Sequence, residues 1–392
     1  MNTARVIVLA ISLMGCSKGG SAVAGSNTSV SGSSRVSSTT STSLDPTTTL
    51  DVSPPTLAPF LQPLRQRVYV PNGQSDTVSV IDPATRKVVQ SFPTSKEPQH
   101  IVPSYDLRTL WVLDNAGNNL IPIDPATSKP GMAIPVEDPY NLYFTPDGTE
   151  AIVVAEAKRR LDFRDPQTMA LRRSLPVPDC GGVNHIDFPA DNSYLIATCE
   201  FSGRLAKIDY RNGVVLETLD VPADPIDGMA AMPQDIRMGP DGTSFYVADM
   251  TRGGLYVVDG SSLSITGFIP TGIGTHGITP SRDRSVFYVA NRGSRSTSGT
   301  RHGQGSISVV HPATGTVTST WPVPSGGSPD MGNLSTDGTQ LWVSGRFDEE
   351  IYVFDLVKGG FADRIRVGSG PHGLTYWPQP GHYSLGHTGN MR

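Results

Sequence analysis

Seven dipeptides in this sequence share a pattern that could do chemistry. They are Gln99-His100, Tyr140-Asn141, Asn184-His185, Gln234-Asp235, His276-Gly277, Asp330-Met331 and His372-Gly373, each at the start of an apolar stretch. Four carry a histidine and two an aspartate, so half of the eight histidines fall on one set of positions. Imidazoles and carboxylates converging from separate segments can bind Zn or Cu. They can equally orient a small polar ligand or move protons. His100, His185, His276 and His372 are therefore the candidate metal ligands, and Asp235 and Asp330 join them as candidate ligand-binding groups. The competing reading is a ring of polar residues at the mouth of a wet channel, with no ligand.

The elements that must position these residues follow from repetition. RVYVPNGQSDTVSVIDPATRKVVQSFP, TLWVLDNAGNNLIPIDPATSKPGMAIP and SFYVADMTRGGLYVVDGSSLSITGFIP each give an apolar strand, a polar turn, a second strand ending near Asp, a turn, and a third strand ending at Pro. A fourth strand follows, as in YNLYFTPDGT and HGITPSRD. A period of about 40 residues with four strands indicates a propeller rather than stacked helices. The 41 Gly and 33 Pro suit short strands joined by tight turns. In a propeller the first strand of each blade lines the central channel, so the seven dipeptides should ring one mouth. Longer steps between the third and fourth dipeptides and between the fifth and sixth assign insertions to 223–234 and 292–305. The folded region opens with three strands, near Val68, Thr77 and Lys87, and closes with one orphan strand, His372 to Trp377. One plus three completes a four-stranded blade. The expectation is an all-β, seven-bladed propeller over residues 63–378, closed by its last strand so that no sheet edge is left open.

YVPNGQSDTVSVIDPATRKVV and FYVAN…GSISVVHPATGTVTSTWPV resemble YVTN-type β-propeller repeats of bacterial and archaeal secreted and surface proteins. PHGL and THGI match that family's P-H-G-I step. The resemblance covers about residues 67–377. It implies the fold more than the function, since propellers host binding modules, lactonases, lyases and haem or copper domains.

Loops between second and third strands should share the upper face with the ring. They carry Asp114, Glu156, Arg159, Arg160, Glu200, Asp249, Arg252, Arg292 and Arg346, a mixture suited to a polar or anionic small ligand. Glu200 and Arg346 follow an apolar strand directly and should sit closest to the mouth. Cys180 precedes the inner strand of its blade and Cys199 ends the strand beside it, which brings both to one rim. An exported domain favours a disulfide there; the rival is a thiolate ligand beside His185. His311 stands where other blades have Asp82 or Asp124 and reads as a turn residue. His302 lies in the second insertion, within reach of the mouth. His382 and His387 lie in a tail, 379–392, that has no strand pattern but carries Tyr383 and Leu385, which favour packing on a face. Met229 and Met331 either join a soft-metal site or fill the rim. The sequence has no Walker loop, G-x-S-x-G elbow, H-E-x-x-H helix or C-x-x-C-H haem motif.

The N-terminus addresses location. Arg5 leads into a short apolar run, Val6 to Met14, too short to span a bilayer and suited to a secretory signal. Leu13-Met14-Gly15-Cys16 resembles a bacterial lipobox, which implies cleavage before Cys16 and lipid on its thiol. Residues 16–62 are dominated by Ser, Thr, Gly and Pro, a composition that cannot offset ordering entropy and suits a tether. Net charge is −5 with no basic run, so a nucleic-acid partner has no electrostatic support. Three roles remain: an envelope-anchored binder of a metal or small molecule, a lactonase-like hydrolase or lyase using a ring histidine, and a surface module for a protein partner.

Overall fold

Each repeated unit folds as an antiparallel sheet, and seven such sheets stand around one axis in the computed structural model, which describes residues 56–387 and 389–392. Six sheets have four strands. The second has five because its outermost strand is broken into Lys129–Pro130 and Ile134–Pro135, where two prolines deny the ladder a continuous run of donors. Blade 1 combines Arg67–Asn72, Thr77–Asp82 and Lys87–Pro93 with the last strand, Thr375–Trp377, which pairs antiparallel to the first (Val68 opposite Tyr376). The ring is thus closed by joining the two ends of the chain, as the strand count requires. Among the described residues no helix is long and apolar enough to cross a membrane.

Burial grades outward along every blade. The innermost strands Pro98–Pro103, Pro139–Phe144, Val183–Asp187, Pro233–Met238 and Pro329–Leu334 are buried at every residue. The outermost, such as Val214–Asp220 and Thr316–Pro322, expose most of theirs. The apolar cores lie between neighbouring sheets. Ile196 and Leu205 of blade 4 pack on Ile236, Phe245 and Tyr256 of blade 5. Two such cores hold the closure: Trp342 and Ile351 of blade 7 pack on Val68 and Tyr376, and Trp377 packs on Ile101 and Leu110 of blade 2. Leu57 and Leu64 pack against this second core and Leu61 is wholly buried in it, so the end of the stretch with linker-like composition carries two apolar anchors, Leu57 and Leu61. Cys16 and residues 1–55 as a whole lie outside the described residues.

Turns between blades' strands repeat one device. Asp82 accepts hydrogen bonds from the backbone N–H of Ala84 and Thr85, and Asp124 from that of Ala126, fixing the D-P-A-T turns. His311 occupies the corresponding strand end in blade 6. Cys180 and Cys199 form a disulfide, which removes both thiols from any ligand set.

Candidate functional site

The seven dipeptides reach the channel because each inner strand is bulged there. Pairing jumps from Val183 opposite Cys199 to Ile186 opposite Ala197, leaving Asn184 and His185 as the bulge. The same jump isolates Gln234-Asp235, His276-Gly277 and Asp330-Met331, and register also shifts at Gln99 and Tyr140. A bulge breaks the alternation of side chains, so two consecutive residues escape the sheet faces. That is why a polar residue stands in each pair, with both members polar in the first four, and the contacts sort them into two tiers.

The upper tier is formed by the first residues of the pairs. Asp330 is its centre and has no solvent exposure. The Arg292 guanidinium donates to it (Nε to Oδ1, 2.8 Å), while Nδ1 of His276 lies 2.8 Å from Oδ1 and Nδ1 of His372 lies 2.6 Å from Oδ2. An ionised carboxylate only accepts, so each of these Nδ1 atoms carries its proton. Burial alone would raise the Asp330 pKa, but Arg292 and the two imidazoles overturn that and hold it well below the carboxylate range. Burial also pushes both histidines down, His372 to about 3, so they are neutral at pH 7. Arg292 comes from the loop set expected on this face; it is the member of that set aimed at the ring.

The lower tier is formed by the second residues together with a side chain from the tail. His185, Asp235 and His387 are all buried, and one potential ligand atom from each lies within 4.8 Å of the other two. Among the described residues this is the compact group of three such donors. Asn141 Nδ2 lies 3.1 Å from Nδ1 of both His185 and His387. Asp235 is held by the backbone N–H groups of Ile236 and Ile278, both at 2.9 Å. Nε2 of His185 and both ring nitrogens of His100 are buried without a partner. His100 adjoins this group, its ring 5.8 Å from His185 and 5.5 Å from His387. Burial first, then the neighbouring imidazoles, push the His100 pKa well below the usual value, and burial does the same at His185 and His387.

His387 enters through a bridged tail segment that the sequence pattern did not show. Tail residues 384–387 run along the channel-facing edge of blade 3: Phe144 N donates to Leu385 O, His387 N donates to Leu142 O, and Gly386 pairs with Tyr143. Gly386 has φ of +92°, and a Cβ there would stand 2.3 Å from Leu142 O. Only glycine permits that approach. Leu385 is wholly buried against Tyr143 and Phe188, so the tail packs inside the ring. His382, by contrast, is exposed.

The structure therefore divides the four histidines expected to share a metal. His185 joins a compact donor group and His100 flanks it, whereas His276 and His372 face Asp330. Asp235 lies in the lower tier and Asp330 in the upper. Glu200 and Arg346 both sit at the mouth, within electrostatic reach of Tyr140, without forming an ion pair. Glu200 accepts from Asn184 Nδ2 (2.8 Å), and Arg346 reaches Gln99. Glu156 is half-buried near Glu200, and desolvation plus the Glu200 charge raise its pKa to about 8. Other members of the loop set are structural. Asp114 and Asp249 accept backbone N–H groups, Arg160 pairs with Asp162, and Arg252 covers Phe268. His302 is tied to Asp348 of blade 7 rather than to the ring histidines. Met331 is buried beside Gly277, while Met229 is exposed, so neither joins the lower group.

The sequence matches the YNCE-like beta-propeller family over residues 47–379. This chain belongs to that family. Among solved structures it is similar to hydrazine synthase of Kuenenia stuttgartiensis (17% identity, 70% of this chain and 87% of that one, TM-score 0.57). It is also similar to a functionally unknown protein from Desulfotomaculum acetoxidans (16% identity, 78% and 98%, TM-score 0.59). A third likeness is to the dihydro-heme d1 dehydrogenase NirN in complex with DHE (14% identity, 80% and 75%, TM-score 0.58). At these identities the likeness carries the fold alone. A search of curated proteins returned no match.

Proposed function

We propose that this propeller binds a transition metal ion, Zn or Cu, in its channel at His185, Asp235 and His387, with His100 as the adjacent imidazole. The observation that carries the reading is the buried donor trio beside ring nitrogens that have no other partner. A buried polar atom without a partner costs roughly 1–3 kcal/mol. A site that leaves several such imidazole nitrogens together is more economically explained by an ion than by packing. Nitrogen–oxygen donor sets suit Zn and Cu. Donors around a tetrahedral ion at about 2.0–2.1 Å stand roughly 3.4 Å apart. The trio would have to draw in by about an ångström, a shift within reach of side-chain rotation. Burial holds both histidines neutral, the charge state a metal ligand needs.

The cellular setting proposed with this reading is the envelope, with the propeller tethered through a lipid on Cys16. Uptake, storage or delivery of the ion would follow. The test is titration of chelator-treated protein with Zn²⁺ and with Cu²⁺ by calorimetry. Saturation near one ion per chain, lost on His185→Ala, supports the reading; no saturable heat with either ion sinks it.

A second reading has its own observation. Glu156, protonated near neutral pH beside Tyr140 and Glu200, could act as a general acid on a small molecule at the upper mouth. Substrate turnover abolished by Glu156→Gln, with metal content unchanged, would favour that enzyme role over metal handling.

A further inference from the structure

The opposite end of the channel has a different character. Where the inner strands end, a cavity of about 50 Å³ is lined by Asp187, Arg237, Arg282 and Arg284, and by Asn390 and Met391 of the tail. One water needs about 10–15 Å³, so this space holds a small polyatomic ion.

Its charges do not balance. Arg237 has Asp235 at 3.5 Å, and the nearby Arg392 has Asp187 at 3.7 Å. Asp187 is already engaged by the N–H groups of Phe188 and Met238 and by the Asn390 amide. Arg282 donates to neutral acceptors, Ser335 O and Gln379 Oε1, and has only the more distant Asp337 as a counter-charge. The Arg284 side chain makes no hydrogen bond and no ion pair with any described residue. It is packed round by protein and keeps accessible surface through the partly open cavity. Burial, then the Arg392 and Arg237 charges, pull its pKa down to about 10, which still leaves it a cation at pH 7. A guanidinium is a rigid fork that matches two oxygens of a carboxylate or phosphate. Holding one enclosed, beside three other guanidiniums and with its fork unused, is costly unless an anion joins it.

We infer that this lower mouth is a binding site for a small oxyanion, phosphate-like or carboxylate-like, with Arg284 as its principal ligand and Arg282 in support. The site is built jointly by blades 4, 5 and 6 and the C-terminal tail. It is a different site from the proposed metal trio, which it adjoins through the Arg237–Asp235 pair, and its test at Arg284 reads the anion alone.

Calorimetric titration of the full chain with inorganic phosphate, and separately with acetate, in a buffer free of other oxyanions tests the inference. Saturable binding of either ion is expected, weakened at least about tenfold in Arg284→Ala, the loss of roughly one charge-assisted hydrogen bond. Preference for phosphate or for acetate then tells a tetrahedral ligand from a carboxylate. Should Arg284→Ala not fold, Arg284→Gln keeps most of the bulk without the charge. No saturable binding of either ion, or equal affinity in the Arg284 variant, overturns the inference.

Discussion

The two tiers of the channel use the same residue types to opposite ends. In the upper tier Asp330 is saturated: one guanidinium and two neutral imidazole Nδ1–H groups surround it, and the Arg292 charge balances the buried negative one. In the lower tier Asp235 is fixed by backbone amides and the Arg237 guanidinium, while Nε2 of His185 and both ring nitrogens of His100 keep nothing to bond. Only a few ångströms separate the tiers, His100 and His372 having ring centres 4.7 Å apart. The contrast shows that a cluster of histidines is informative only when its hydrogen bonds are traced. A completed network braces the fold, and an incomplete one marks where a ligand belongs.

The largest expected effect separates the two tiers directly. Asp330→Ala removes the counter-charge of buried Arg292 and should destabilise the fold by about 3–5 kcal/mol in denaturant unfolding. His185→Ala should cost clearly less in metal-free protein, because it gives up the neutral Asn141 contact and leaves no buried charge unpaired. Equal losses would erase the distinction between brace and site.

Acid sharpens the comparison next. His276 and His372 have folded pKa values below the unfolded value of about 6.5. The unfolded chain thus binds protons that the folded chain refuses. Their neutral burial is fully tolerated above pH 6.5, and stability falls as pH drops toward about 3, by up to about 1.4 kcal/mol per pH unit for each imidazole. Asp330 has a depressed pKa, so its contribution is present above the unfolded carboxylate pKa of about 3.9 and is lost only below it. Between pH 6.5 and 4 these two share the slope with His100, His185 and His387, whose pKa values burial also lowers. Denaturation curves across that range should flatten in His372→Gln, and an unchanged slope would refute the assignment.

A smaller effect tests His100. Gly373 leaves room for the His100 ring: a Cβ at 373 would stand 2.0 Å from its Nδ1. Gly373→Ala should cost about 1–3 kcal/mol by overpacking. It should also weaken metal binding if His100 flanks the ion, while the upper tier's acid response stays as in the wild type. Unaltered metal affinity would remove His100 from the site.

Much of this was legible in the sequence, for physical reasons. Repetition exposes strands, turns and blade count, because every blade needs the same apolar faces and the same Asp-capped turns. The polar dipeptides stood out because a bulge turns two adjacent residues into the channel at once. His387 was not legible as a ligand. It belongs to no repeat, and its place depends on Gly386 fitting against one edge of blade 3. Nor did the spacing tell which histidines share a tier, since that depends on contacts between blades far apart in the chain. Arg284 reads as an ordinary turn residue until the tail closes over it.

The most direct measurement is the metal content of the full chain, purified without affinity tag or chelator, beside a His185→Ala/His387→Ala double variant and a His276→Ala/His372→Ala double variant. The account expects close to one Zn or Cu per chain in the wild type, its loss in the first variant, and its retention in the second so long as that variant folds. An absence of metal in the wild type even after incubation with both ions, or equal content in the first variant, would contradict it.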